Sequence, residues 1–224
     1  MNMIPKRHDL VFLSELGQQY VWEHLSPACQ EDPVVQKYFL QLPGIFRVQP
    51  PDLGEKMLSL GYSFPFRNGA NRMRLAAQAP ANKIVRVITP WEIPNMEREL
   101  PYPYKTAMVE LAQRAESAGL HFGVFGSAAL QMATSLPYLH RKSDLDVIIA
   151  AARPEAIRSF YRELTKVSDR FCVGVDAELI VSETCYVKLG ELMQGSKTIL
   201  AKGSYHPQLL SSQWIWDTMA AMPQ

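Results

Sequence analysis

Apolar and polar positions divide the chain into two stretches of different rhythm. In the first, short runs predict a strand over Asp9–Leu13 and a helix over Glu15–Glu23. Asp32-Pro33 pairs a capping carboxylate with proline at the first helical position, so a second helix is expected to run to about Gln41 and stop at Pro43-Gly44. Ile45–Val48 reads as a strand ended by Pro50-Pro51. Asn71–Ala77 and Lys83–Thr89 are β-like runs, and Ala79–Asn82 between them predicts a hairpin. Pro90, Pro94, Pro101 and Pro103 then crowd one short stretch and mark a boundary.

Beyond the prolines the alternation becomes regular. Lys105–Ala118 places Met108, Leu111, Ala112 and Ala115 on one helical side and is closed by Gly119. Leu120–Phe125 predicts a strand, Ser127–Thr134 a helix, Ser143–Ala151 a strand and Pro154–Val167 a helix. Asp176–Ser182 and Lys197–Lys202 predict further strands. Strands interleaved with helices imply a mixed sheet with flanking helices over residues 104–224. Residues 1–100 form a small preceding α+β domain with no recognisable chemistry of its own.

Composition narrows the classes. With 224 residues, 47% hydrophobic and 20% charged, the chain can bury a real core. A net charge of +1 argues against a general nucleic-acid surface. Neither a signal peptide nor a bilayer-length apolar run is present, so no membrane partner is expected. Cys29, Cys172 and Cys185 show no ligand or disulfide spacing, which implies reduced thiols and a cytoplasmic location. There is no internal repeat or low-complexity tract.

The chemistry concentrates in Phe122–Ile149. Gly126-Ser127 stands between a strand and a helix, where free N–H groups and a hydroxyl can face an anion. Asp144 and Asp146, two apart on the next strand, share one face and repel each other unless a cation lies between them. Magnesium, or manganese, suits such a pair, because it completes its oxygen shell with substrate phosphates. Gly-Ser turns and Asp-x-Asp pairs are each common in ordinary loops, but together at the mouth of Val147–Ala151 they resemble the nucleotidyltransferase superfamily. A third carboxylate is expected nearby, and Asp176 or Glu178 at the start of the next apolar strand could be a further metal ligand. Asp176 is preferred, because Glu178 could pair with a neighbouring cation. Arg141, Lys142 and Lys202 are the basic candidates for holding polyphosphate, although each is by default a solvated charge.

Other residues read more plainly. His8, His24, His121, His140 and His206 show no ligand spacing, and His121 reads as a core or edge residue. Ser127 lacks a nucleophile elbow, and Trp214 and Trp216 are most simply core.

A narrower resemblance follows from longer blocks. Arg7-His-Asp-Leu-Val-Phe12, Phe125-Gly-Ser-Ala-Ala-Leu-Gln131, Leu136-Pro-Tyr138, Ser143-Asp-Leu-Asp146, Val175-Asp-Ala-Glu-Leu179 and Ile199-Leu-Ala-Lys202 are similar to the malonate decarboxylase holo-acyl carrier protein synthases. These are also called phosphoribosyl-dephospho-CoA transferases. The similarity is densest from about residue 120 to 180. It departs in the N-terminal half, where Val34-Val35 leads into Gln36-Lys37 rather than an Arg-rich stretch.

The resemblance implies transfer of phosphoribosyl-dephospho-CoA from triphosphoribosyl-dephospho-CoA to a serine of the malonate decarboxylase acyl carrier subunit, with release of pyrophosphate. It implies that Asp144 and Asp146 hold the metal, Gly126 and Ser127 grip phosphates, and Asp176 orients or deprotonates the serine. The alternatives are another metal-dependent nucleotidyltransferase, adenylylating a small molecule or protein, and a non-catalytic nucleotide-binding relative.

Overall fold

The computed structural model describes residues 4–47, 53–54, 56–68, 71–150, 152–182, 184–203 and 206–221. Val48, Pro50, Pro51 and Ala151, which bound two of the expected strands, lie outside them.

The first half is an antiparallel five-stranded sheet. Its strands are β1 (Leu10–Leu13), β2 (Gly44–Phe46), β3 (Met57–Asn68), β4 (Asn71–Pro80) and β5 (Ile84–Ile88), in the order β4-β3-β2-β1-β5. Helices α1 (Glu15–Glu23), α2 (Pro27–Gln30) and α3 (Pro33–Tyr38) connect β1 to β2, and a 3-10 turn extends α3 through Phe39–Gln41. Local capping explains where they start. Ser14 Oγ accepts from the Gly17 N–H, and one Asp32 oxygen accepts from the Val34 and Val35 N–H groups at 2.8 and 3.2 Å.

The expected hairpin across Ala79–Asn82 does not form. β4 pairs back on β3, β5 pairs with β1, and the two lie at opposite edges of the sheet. The cause is β3, which periodicity alone obscures because Gly61 and Pro65 interrupt its alternation. Once Met57–Asn68 is extended, β4 has a twelve-residue partner, and a 3-10 turn over Ala81–Lys83 carries the chain across to β1.

The second half is a six-stranded mixed sheet: β6 (Phe122–Val124), β7 (Leu145–Ala150), β8 (Val175–Ser182), β9 (Cys185–Lys188), β10 (Thr198–Gly203) and β11 (Pro207–Ser211), in the order β11-β10-β9-β8-β7-β6. Only β7 and β8 run parallel, joined by the crossover helix α6 (Pro154–Phe171). α4 (Tyr104–Ser117), α5 (Gly126–Thr134), α7 (Leu189–Met193) and α8 (Ser212–Ala220) complete the half. This is the nucleotidyltransferase-like α+β architecture the sequence implied, with β9 and β11 added.

Alternation along β7 and β8 separates two faces. Leu145, Val147, Ile149, Ala177, Leu179 and Val181 are buried in the core, with α6 contributing Ile157, Phe160, Leu164 and Val167. Asp146, Asp176 and Glu178 lie on the opposite face, towards the first half. Trp216 is half-buried beneath the Arg158 guanidinium, whereas Trp214 is 47% exposed and is not core. His121 is exposed just before β6 and stacks on Trp91. Among the described residues no helix is long and apolar enough to cross a membrane.

Candidate active site

The strand–helix–strand unit of residues 122–150 builds the centre. The Phe125 N–H donates to the Asp146 carbonyl at 3.0 Å, so the residue before α5 is still tied to β7. Gly126 then turns the chain with φ +65°, where a side chain would be strained. Space demands glycine as well, because a Cβ here would lie 2.0 Å from Asp146 Oδ2. The Ser127 backbone N–H at the start of α5 favours the charged form of the Asp146 carboxylate.

Asp144 is exposed, at the entrance to β7. It lies against Gly174, whose Cβ would stand 2.1 Å from Asp144 Oδ1. Gly174 precedes β8 and was not evident from the sequence motifs, because the close approach joins segments thirty residues apart. Each member of the carboxylate pair is thus seated on a glycine.

Asp176 pairs in register with Asp146 across the parallel strands, and Glu178 with Ile148. Burial first, then the neighbouring carboxylates of Asp176 and Asp144, pushes the Asp146 pKa up to about 7 against the pull of the Ser127 N–H. Among the described residues no lysine or arginine forms an ion pair with Asp144 or Asp146.

The other two carboxylates have partners. Asp176 Oδ2 accepts from Lys188 Nζ at 2.7 Å, which raises the lysine's pKa. Glu178 is 3% exposed and accepts from Lys202 Nζ at 2.6 Å and bonds His8 Nε2 at 2.7 Å, with Arg7 Nε at 3.6 Å. Burial alone would raise Glu178, but His8, Lys202 and Arg7 outweigh it and hold its pKa at about 2. Burial lowers the His8 pKa, overriding the pull of Glu178. Among the described residues, no three His, Cys, Asp or Glu side chains form a metal-holding group.

The remaining sequence candidates fall around this centre. Lys202 is inside it through Glu178, while Arg141 and Lys142 are exposed in the turn before Asp144. That turn is braced from beneath. The Tyr104 hydroxyl lies 2.7 Å from the His140 carbonyl and 2.9 Å from that of Ser143, and Ser143 Oγ accepts from the His140 N–H.

Sequence reasoning missed the contribution of the first half. Arg72 on β4 donates from Nη1 to Ser127 Oγ at 2.9 Å and from Nη2 to the Tyr138 carbonyl at 2.6 Å. Buried Tyr138 in turn donates its hydroxyl to the Ser63 carbonyl. Arg7 and His8 arrive on the turn before β1, and the His8 ring stacks 3.9 Å from that of Phe125. These are contacts of high sequence separation, which no local pattern pairs.

Comparison with known proteins agrees along most of the chain. Residues 6–90 match the family described as phosphoribosyl-dephospho-CoA transferase MdcG N-terminal domain, and residues 92–213 match the corresponding C-terminal domain. A phosphoribosyl-dephospho-CoA transferase of Xanthomonas euvesicatoria pv. vesicatoria is 28% identical over 216 residues, covering 96% of this chain and 98% of that one. One of Klebsiella pneumoniae strain 342 is 29% identical over 224 residues, with the same coverage. One of Pseudomonas aeruginosa is 31% identical over 156 residues, covering 66% of this chain and 70% of that one. No solved structure matches the chain. The chain therefore belongs to the phosphoribosyl-dephospho-CoA transferase family, and it is a transferase acting on a prosthetic group.

Proposed function

We propose that the protein transfers phosphoribosyl-dephospho-CoA from triphosphoribosyl-dephospho-CoA to a serine of the malonate decarboxylase acyl carrier subunit. One observation carries the chemistry: Asp146 packs against the Gly126-Ser127 helix start two residues from Asp144, and among the described residues no lysine or arginine forms an ion pair with either. Hard oxygen donors, one of them held at about 7 by burial and like charge, fit a divalent cation. Asp144 and Asp146 would hold it as magnesium or manganese, with Asp176 in register with Asp146 on the next strand. When bound, the cation neutralises charge on the triphosphate.

The chain's own residues do the rest. Ser127 and the first turn of α5 bind phosphate oxygens, with the Arg72 guanidinium beside the Ser127 hydroxyl. Arg141 and Lys142 flank the entrance as screening charges. Asp176, steadied by Lys188, orients the incoming serine hydroxyl and takes its proton. The serine oxygen bonds to the phosphorus nearest the ribose, and the bond from that phosphorus to the bridging oxygen breaks. Pyrophosphate leaves with the bonding electrons. Glu178 serves as a counter-ion for Arg7 and Lys202 and as a hydrogen-bond partner of His8, rather than as a metal ligand.

The test is direct. The protein is incubated with magnesium, the triphosphoribosyl precursor and the apo-carrier subunit, and the carrier is weighed by mass spectrometry while pyrophosphate is assayed. One prosthetic group per carrier with equimolar pyrophosphate is expected. Transfer of AMP from ATP, with none from the precursor, would show a different nucleotidyltransferase.

A further inference from the structure

Arg7 is the side chain that the fold leaves unexplained. Its side chain is only 18% exposed, and its Nε is sealed from solvent without a hydrogen-bond partner. Among the described residues its Nε finds no hydrogen-bond acceptor. Its contacts are Glu178 Oε2 at 3.6 Å and the Tyr186 ring, 5.7 Å from centroid to guanidinium carbon. Guanidinium carries five donors in a fork shaped for carboxylate or phosphate, so sealing its Nε without a partner is costly. Glu178 does not satisfy it, because its two oxygens are already engaged by Lys202 Nζ at 2.6 Å and His8 Nε2 at 2.7 Å.

The backbone is arranged to place Arg7 there. The Lys6 N–H donates to Asp9 Oδ2 and the Asp9 N–H to the Lys6 carbonyl, closing a turn over residues 6–9. The His8 N–H is bonded to the Phe46 carbonyl, and His8 itself has φ +74°. A left-handed histidine is uncommon and persists only where its surroundings hold it. The turn thereby lays Arg7 and His8 on the β8–β10 face, beside the carboxylates of the proposed centre. Glu178 is two residues beyond Asp176 on β8, roughly 7 Å along the strand.

We propose that Arg7, with Lys202, is the seat for a second phosphoryl group of the substrate, contributed to the catalytic face by the N-terminal half. The proposal rests on the transferase reading above and adds to it a substrate-binding residue outside the Gly-Ser and Asp-x-Asp motifs. Two parts of the precursor carry the required chemistry: the triphosphate end and the diphosphate bridge of the dephospho-CoA portion. The charge arithmetic agrees, because Arg7 and Lys202 face a single carboxylate, Glu178, and leave one positive charge over with His8 neutral.

The experiment is calorimetric titration of the full-length protein with tripolyphosphate in one arm and dephospho-CoA in the other, for the parent, Arg7→Met, Arg7→Lys and Lys202→Met. Thermal melts of each variant report folding separately. Arg7→Met is expected to weaken one of the two ligands roughly tenfold or more, with Arg7→Lys intermediate and Lys202→Met similar, because charge-assisted bonds are lost. The ligand affected identifies which phosphoryl group occupies the seat. Parent-like affinity for both ligands in folded Arg7→Met and Lys202→Met would overturn the proposal, as would failure of the parent to bind either. Carrier labelling by the parent is scored independently, so the transferase reading can survive that failure, and anion binding at Arg7 can survive loss of the transferase reading.

Discussion

Asp146 and Glu178 are both shielded carboxylates on adjacent parallel strands, and they have opposite fates. Glu178 is surrounded by Lys202, His8 and Arg7, and its pKa is held at about 2. Asp146 has Asp144 and Asp176 for neighbours, and its pKa is pushed up to about 7. One carboxylate is neutralised by the fold, and the other is left for something from outside. A buried charge satisfied within the protein is part of its architecture, whereas one opposed by its own neighbours points to a ligand.

Removing each carboxylate should therefore do different damage. Asp146→Asn is expected to lower transfer on the order of a thousandfold or more, since charge neutralisation on the polyphosphate is lost. Its melting temperature without metal should equal or exceed the parent's, because a repulsion has been relieved. Steady-state carrier labelling together with a thermal melt checks both halves, and a large loss of stability in Asp146→Asn would break the contrast.

Glu178→Gln should act the other way round, on stability first. It strands Lys202 and Arg7 without their counter-ion, at a cost of about 3 kcal/mol. Denaturant titration of parent and variant measures this. A variant as stable as the parent would mean that Glu178 is not the structural member of the pair.

Acidity sharpens the same comparison. Glu178 has its folded pKa depressed to about 2, so its stabilisation is present above the ordinary glutamate range and is lost as the pH falls towards 2. Asp146 has its folded pKa raised to about 7, so the metal-free fold loses stability as the pH rises from about 4 to 7. Magnesium must displace that proton, and its affinity should rise about tenfold per pH unit up to 7 and then level off. Titrations at several pH values would show this, and a flat profile would contradict the Asp146 assignment.

The smallest expected effect comes from Gly174→Ala. Its methyl group would meet Asp144 Oδ1, an atom on an exposed side chain that can shift aside. Magnesium affinity should fall by roughly tenfold or less with the fold retained, as measured by calorimetry. Gly126→Ala should be worse, because it adds a strained φ to the clash with Asp146.

How much of this is legible in the sequence depends on the range of the interaction. Asp32-Pro33, Gly126-Ser127 and Asp144-x-Asp146 act within a few residues, and the sequence shows each of them at its place in the fold. Met57–Asn68 is obscured by Gly61 and Pro65, and its loss alone misassigns the pairing of β4 and β5. Trp214 reads as core by composition, yet it lies on the outer side of α8, whose buried positions are Ile215 and Met219. Arg7, Arg72 and Gly174 reach the site only through tertiary packing, across sequence separations that no local pattern encodes.

The central claim is that Asp146 waits for a cation that the fold does not supply. Calorimetric titration of magnesium into the parent and Asp146→Asn at pH 7.5, each with tripolyphosphate present, tests it most directly. The account predicts a saturable binding event in the parent that is absent from folded Asp146→Asn. Equal magnesium binding by both proteins would contradict it.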